Sequence, residues 1–403
     1  MTSKQINRPF ESLFAAEKLL DPPSGDFRRD FETFVHWCVS NVSIGKDNRI
    51  AMNMTPEPYR FSPTSSNEDN AAAYLEHAMN VVEQALPSWQ WLYEHLADEE
   101  SRNMLLTVLA YRTIGWKYTP MPLDTPEFWG KLAELSELER SAQHKDIIDT
   151  KMNGITLSKF DLDPYGFPVK IFSDAFGVFN EFLYSQYVYR GSDGDVGCRR
   201  DDVALDCGAC FGGTSLFLAD RVGHKGKVFS FEFFPGNLKV FERNISLNSE
   251  LRTRIQLIKN PVWSDKGSEV AIEGSGPATQ IFHKKKKYKI MGLLQWLVSG
   301  RRQQSEDLSF QTVSIDSLLS SGKIERVDFI KMDIEGAEMS ALRGARATID
   351  RFKPTLAICV YHKLIDFYEI PQFLDRLDLG YKFFLQHSTV HGDETVLFAT
   401  AKF

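Results

Sequence analysis

Apolar residues recur at three- and four-residue spacings from Ala71 through AAAYLEHAMNVVEQAL, the periodicity of an amphipathic helix. The pattern breaks at Pro87 and resumes as SWQWLYEHLADEESRNMLLTVLAYRTIG, ending at Gly115. Thr125 and Pro126 read as the N-cap and first residue of a further helix running through LAELSELER. Before Ala71 short apolar patches alternate with breakers such as DPPSGD and SPTSSNEDN, so that stretch is predicted to be only partly ordered. Residues 1–150 thus form a mainly helical accessory region. Between Ile155 and Ser173 two β-rich runs flank DPYG and predict a hairpin. FGVFNEFLYSQYVYR then reads as an aromatic helix, and GSDGDVG at 191–197 as a linker.

From Asp202 the period changes. VALD, KVFSFE, IQLI, VDFIKM and TLAICVY are nearly continuous apolar runs, and four of the intervals between them or after them carry helical patterns: TSLFLADRV, NLKVFERNISLN, AEMSALRGARATI and IPQFLDRLDLG. Strands buried on both faces and joined by helices belong to a parallel sheet covered on both sides. The chain closes differently, with YKFFLQHST, the turn VHGD and ETVLFATAKF forming a hairpin. One antiparallel strand is therefore predicted in an otherwise parallel sheet. A second region, 151–403, divides into a lead-in over 151–200 and this α/β core over 201–403.

Composition narrows the class. The chain has 403 residues, 43% hydrophobic and 25% charged, and a formal net charge of -7. That balance is ordinary for a globular protein and argues against a general nucleic-acid binder, which carries a basic excess. No run near the N-terminus resembles a signal-peptide core and none elsewhere is long enough to span a bilayer, so a cytoplasmic location is expected. Five scattered cysteines are expected to be reduced thiols.

The first strand-to-helix turn, ALDCGACFGG, holds two motifs at once. Asp206, Gly208 and Gly212 make D-x-G-x-x-x-G, where glycines let the backbone approach a ligand. The spacing disfavours a dinucleotide fingerprint and suits S-adenosylmethionine. Cys207 and Cys210 make a C-x-x-C pair, the basis of a rival reading as a thiol oxidoreductase with a thiolate stabilised at a helix N-terminus. A zinc reading lacks the second pair of ligands. A non-catalytic binding protein that retains the fold is the third reading. Glu232 ends the second strand, where a carboxylate accepts from ribose hydroxyls. Asn260 follows the third strand, near the expected place of an adenine, and Cys210 is expected beside the same ligand.

At the fourth strand KMDIEGAE brings Asp333, Glu335 and Glu338 to the edge of the same cleft. Glu338 is accounted for as a complement to a helix dipole, whereas Asp333 at the strand end is a candidate catalytic group. His362, in CVYHK after the fifth strand, is the second; a neutral imidazole near pH 7 is suited to taking a proton from a hydroxyl. A divalent cation on Asp333, Glu335 and His362 is an alternative that the spacing does not favour.

Taken together, DVALDCGACFGGTSLFLA, FEFFPGNLKVFERNISLN, VDFIKMDIEGAEMSALRGA, PTLAICVYHKLIDFYEIPQFL and GYKFFLQHSTVHGDETVLFA resemble the FkbM-type S-adenosylmethionine-dependent methyltransferases over about 160–403. LYEHLADEESRNMLLTVLAYR is similar to the helical leader of longer bacterial members. The resemblance implies a class I methyltransferase (Rossmann-like) fold of seven strands with the last antiparallel. It also implies methyl transfer to a hydroxyl of a sugar, glycan or polyketide-like acceptor, and supports Asp206, Gly208 and Gly212 as the cofactor loop with Glu232 on the ribose. Cysteines at 207 and 210 depart from the commoner family pattern.

Between the third and fourth core strands, HKKKKYKIMGLLQWLVSGRRQQS at 283–305 pairs a basic cluster with an apolar run. It is read as a solvated charge run beside a lid helix. The rival reading is an interfacial segment docking on anionic lipid.

Overall fold

The computed structural model describes residues 24–42, 59–60, 70–152, 154–191, 194–273, 280–283 and 309–402. The insertion at 283–305 lies outside these residues, save for the backbone of His283 at the end of strand Gln280–His283. The partly ordered segment expected before Ala71 is described only over 24–42, 59–60 and 70, and the first of these carries helix α1, Phe27–Asn41.

Seven strands form the central sheet: β1 Val203–Cys207, β2 Lys227–Phe231, β3 Ile255–Ile258, β4 Phe329–Met332, β5 Thr355–Cys359, β6 Lys382–His387 and β7 Thr395–Thr400. Their spatial order is β3-β2-β1-β4-β5-β7-β6, and β7 alone runs against its neighbours β5 and β6. This is the class I methyltransferase topology, as the strand pattern predicts. The order reverses between β1 and β4, where a doubly wound sheet opens its ligand crevice. In that pair Asp206 stands in register with Lys331.

The helical region divides differently from its periodicity. After α2, Ala71–Glu83, Pro87 falls in the first turn of α3, Leu86–His95, where its missing N–H costs nothing. The chain breaks instead at Leu96–Asp98. Asp98 caps α4, Glu99–Ile114, by accepting from Ser101 N, and Leu96 bridges to Phe383 of β6. Ser101 Oγ accepts from Leu385 N at 2.9 Å. Helices α3 and α4 thereby cover the open edge of the sheet at β6. One apolar core runs from Phe27 in α1 and Trp89 in α3 to Leu356, Ile358 and Leu397 on the sheet.

Helix α5, Pro126–Arg140, starts at the Thr125 cap as expected. The hairpin around DPYG is Thr156–Asp161 with Lys170–Ser173, and Ile147–Asp149 adds a third strand across the expected boundary at 150. FGVFNEFLYSQYVYR is one helical turn, Ala175–Val178, continued as a π-helix over Phe179–Tyr184. The stretch expected to be a linker forms the strand Gly194–Gly197, paired with Val188–Gly191. The segment after β4 is two helices, Glu338–Arg343 and Arg346–Phe352, parted at Gly344, which passes so close to the Trp263 carbonyl that a Cβ would lie 2.1 Å from it. Among the described residues no helix is long and apolar enough to cross a membrane.

Candidate functional site

After β1 the chain turns through Gly208 to α6, Gly213–Val222. Gly208 has φ +89°, and a Cβ there would sit 1.8 Å from the Asp333 carbonyl oxygen. Gly212 has φ +89° as the N-cap of α6, and a Cβ would lie 2.9 Å from the Phe241 ring on α7, Pro235–Ser246. Both glycines are thus required by backbone crowding as well as by left-handed geometry. The N–H groups of Gly208 and Ala209 donate to the Phe231 carbonyl at 3.2 and 2.9 Å, which ties the turn to β2.

Asp206 does not line the cleft. It is fully buried beneath the turn, where Ser215 Oγ donates to Oδ2 at 2.6 Å and Lys331 Nζ lies 3.2 Å from Oδ1. Lys331 also donates to the carbonyls of Gly208, at 2.7 Å, and Cys207, at 3.3 Å. Burial opposes its charge, but Asp206 and Asp333 outweigh that and raise its pKa. Lys331 escaped the sequence reading, although a lysine inside the apolar run VDFIKM is its own signal: such a residue is buried only when paired.

A cleft of about 160 Å³ opens above this turn. Gly208, Cys210, Glu232, Phe233 and Asn260 reach it from the ends of β1, β2 and β3; Asp333, Glu335, Tyr361 and Glu394 reach it from β4, β5 and β7. Six of the eight expected residues are thereby placed: five line the cleft at 208, 210, 232, 260 and 333, and Gly212 stands behind its turn. Glu232 is nearly buried. Its Oε1 accepts from the N–H groups of Phe233 and Phe234 at 2.7 and 2.8 Å, and its Oε2 from Asn237 Nδ2 at 3.2 Å. Burial nonetheless raises its pKa. Asn260 Nδ2 donates to the Gln311 carbonyl at 3.0 Å.

On the acidic side Asp333 accepts from Tyr187 OH at 3.0 Å and Tyr361 OH at 3.1 Å. Burial works against its ionisation, yet Lys331 and His362 hold its pKa below the usual value. His362 is not in the cleft lining. Its Nε2 lies 3.6 Å from both Asp333 Oδ1 and Glu335 Oε2, and its Nδ1 lies 3.1 Å from Glu338 Oε1. Burial lowers its pKa, but Glu335, Glu338 and Asp333 overcome that and raise it to about 11. The expectation of a neutral imidazole is corrected: caged by carboxylates, His362 is a cation at neutral pH and has no lone pair to take a proton.

Glu394, just before β7, was not singled out by sequence. It lines the cleft, its Oε2 has no hydrogen-bond partner, and burial followed by the nearby Asp333 charge raises its pKa to about 8. Three non-glycine residues of the cleft have left-handed backbones: Cys210 at φ 46°, Glu335 at 56° and Glu394 at 67°. Such conformations cost about 1–3 kcal/mol each and concentrate where a site demands them.

The dithiol reading fails on the same geometry. Cys207 is fully buried in the core, and burial raises the pKa of both thiols, that of Cys210 with help from Glu232. A reactive thiolate needs the opposite shift.

Residues 206–383 match the Methyltransferase FkbM domain family. Among solved structures the chain resembles the methyltransferase FkbM from Methylobacillus flagellatus KT, with 18% identity and a TM-score of 0.46 over 79% of this chain and 60% of that one. It also resembles Aeropyrum pernix fibrillarin in complex with natively bound S-adenosyl-L-methionine, with 12% identity and a TM-score of 0.30 over 64% and 97% of the two chains. A third is a putative rRNA-methylase from Clostridium thermocellum, at 12% identity and 0.30 over 50% and 87%. This chain therefore spans less than two thirds of the M. flagellatus protein. No curated protein matches it.

Proposed function

We propose that this chain, whose residues 206–383 match the Methyltransferase FkbM domain family, is an S-adenosylmethionine-dependent O-methyltransferase whose acceptor is a hydroxyl of a sugar, glycan or polyketide-like molecule. The observation that carries this reading is the convergence of Gly208, Cys210, Glu232 and Asn260 with Asp333 and Glu394 on one cleft at the switch point of the sheet.

The residues fit the cofactor. Gly208 has no room for a Cβ, so backbone alone forms that wall. Glu232 is held in place by main-chain N–H groups, and its Oε2, with one amide contact from Asn237, would accept from the ribose hydroxyls. Asn260 and Phe233, which line the same cleft, would hold the adenine. When bound, S-adenosylmethionine supplies an electrophilic methyl group on a sulfonium. Asp206 and Lys331 act from below as positioning residues that set the turn.

For the acceptor, Glu394 takes the hydroxyl proton on its unpartnered Oε2, a role assigned to it in place of His362. Asp333, fixed by Tyr187 and Tyr361, orients the hydroxyl. Alignment of the reacting atoms carries more of the rate than the base, whose share is about 10²–10⁴-fold.

Calorimetry with S-adenosylhomocysteine tests the reading. One molecule is expected to bind per chain, with affinity lowered at least about tenfold by Glu232→Gln, the loss of one charged hydrogen-bond set. Absence of binding by the unmodified chain would overturn the cofactor assignment. Transfer of labelled methyl to nitrogen or carbon acceptors but to no hydroxyl would overturn the O-methylation.

A further inference from the structure

The pocket around His362 is crowded with carboxyl groups. Asp333, Glu335, Glu338, Asp366 and Glu394 all act electrostatically on one another or on His362. Glu338 is fully buried and Asp366 is 3% exposed. Lys331 is already committed to Asp206 and two carbonyls, and Lys363 donates to the Gly336 carbonyl. Buried like charges are costly without a compensating cation.

His362 gives the independent sign. Its side chain is 7% exposed, and both ring nitrogens are aimed among carboxylate oxygens at 3.1–3.6 Å without a well-aligned hydrogen bond. Donor atoms of Asp333, Glu335 and His362 lie within 4.8 Å of one another. A cation about 2.1 Å from each donor holds neighbouring donors about 3.0–3.6 Å apart, and the two His362 contacts are 3.6 Å. Glu335 is turned toward this point by a left-handed backbone, φ 56°.

We infer that Asp333, Glu335 and His362 form a binding site for a first-row divalent cation, open toward the cleft through Asp333 and Glu335. One imidazole nitrogen and two carboxylate oxygens suit Mn²⁺, Fe²⁺ or Zn²⁺ better than Ca²⁺. The inference deepens the methyltransferase reading and rests on it for its purpose. The acceptor hydroxyl coordinates the cation through oxygen, which lowers the hydroxyl's pKa, and its proton passes to the Glu394 carboxylate. The alkoxide oxygen stays on the cation.

The test is titration of the full chain with Mn²⁺, followed by loss of the free-ion electron paramagnetic resonance signal. One saturable site is expected, weakened at least about tenfold in His362→Gln and in Glu335→Gly. The glycine variant suits φ 56° and keeps the fold while removing the ligand. No saturable binding, or equal binding in both variants, overturns the site. S-adenosylhomocysteine calorimetry on the same preparation separates the two claims. If the nucleoside binds and Mn²⁺ does not, the cation site falls and the methyltransferase reading stands. If Mn²⁺ binds and the nucleoside does not, the site stands and its role in methyl transfer falls.

Discussion

Lys331 Nζ lies 3.2 Å from Asp206 Oδ1, joining the two strands between which the ligand crevice opens. Both side chains are at most 2% exposed. The pair fixes the heights of β1 and β4 while the ammonium's other donors hold the Cys207 and Gly208 carbonyls. Replacing Lys331 by Met leaves a buried carboxylate without its cation, and about 3–5 kcal/mol of stability is expected to be lost. Asp206→Asn in the same chain should recover part of it. Urea denaturation of the two single variants and the double variant gives the coupling.

Gly208→Ala places a methyl group where the Asp333 carbonyl already stands, at 1.8 Å, in a left-handed backbone. S-adenosylhomocysteine affinity is expected to fall at least about tenfold, or about 1.4 kcal/mol, together with stability. Gly322→Ala is the control. Its φ is +71° with nothing within 4 Å, so it carries only the conformational cost of about 1–2 kcal/mol and leaves the nucleoside affinity unchanged.

Glu394→Gln keeps the shape of the side chain and removes its basicity. The expected result is kcat lower by about 10²–10⁴-fold with the nucleoside affinity retained. Single-turnover methyl transfer measures it, and an unchanged rate would return the proton-accepting role to another group.

Arg112 links the helical region to the site. From α4 it is buried and donates through Nη2 to the carbonyls of Tyr361, at 2.7 Å, and Gly392, at 2.9 Å, bracketing the loops that carry His362 and Glu394. Arg112→Met leaves these carbonyls short of a donor, at about 1–3 kcal/mol for each one left unsatisfied. As a positioning residue it should lower kcat while sparing S-adenosylhomocysteine affinity, a split that general destabilisation does not produce.

His387 gives a pH dependence of stability away from the reacting groups. It is buried at the end of β6, with Nδ1 2.8 Å from Thr395 Oγ1, and burial lowers its pKa from 6.5 to about 3. The folded chain holds it neutral, whereas the unfolded chain takes up a proton below about pH 6.5. Its contribution is complete above that value and is lost as pH falls toward 3, at about 1.4 kcal/mol per pH unit. His387→Asn, which keeps a hydrogen-bonding group near Thr395, should flatten this part of the profile in denaturant melts from about pH 7 to about pH 4.

The sequence alone determined the sheet and the turn above which its cleft opens. Unbroken apolar runs alternating with helical periods specify buried parallel strands, the terminal hairpin specifies one reversed strand, and glycine at 208 and 212 marks a turn without room for side chains. These are local signals, carried by period and by backbone geometry. Only the tertiary structure decided which polar groups meet and in what state of charge. Asp206 went below the cleft because Lys331, set among the apolar residues of β4, waits there in register; His362 became a cation because residues at 333, 335 and 338 fold back around it; Glu394 entered the cleft because β7 inserts between β5 and β6. Charge state depends on burial and on neighbours distant along the chain, and no spacing in one segment records either.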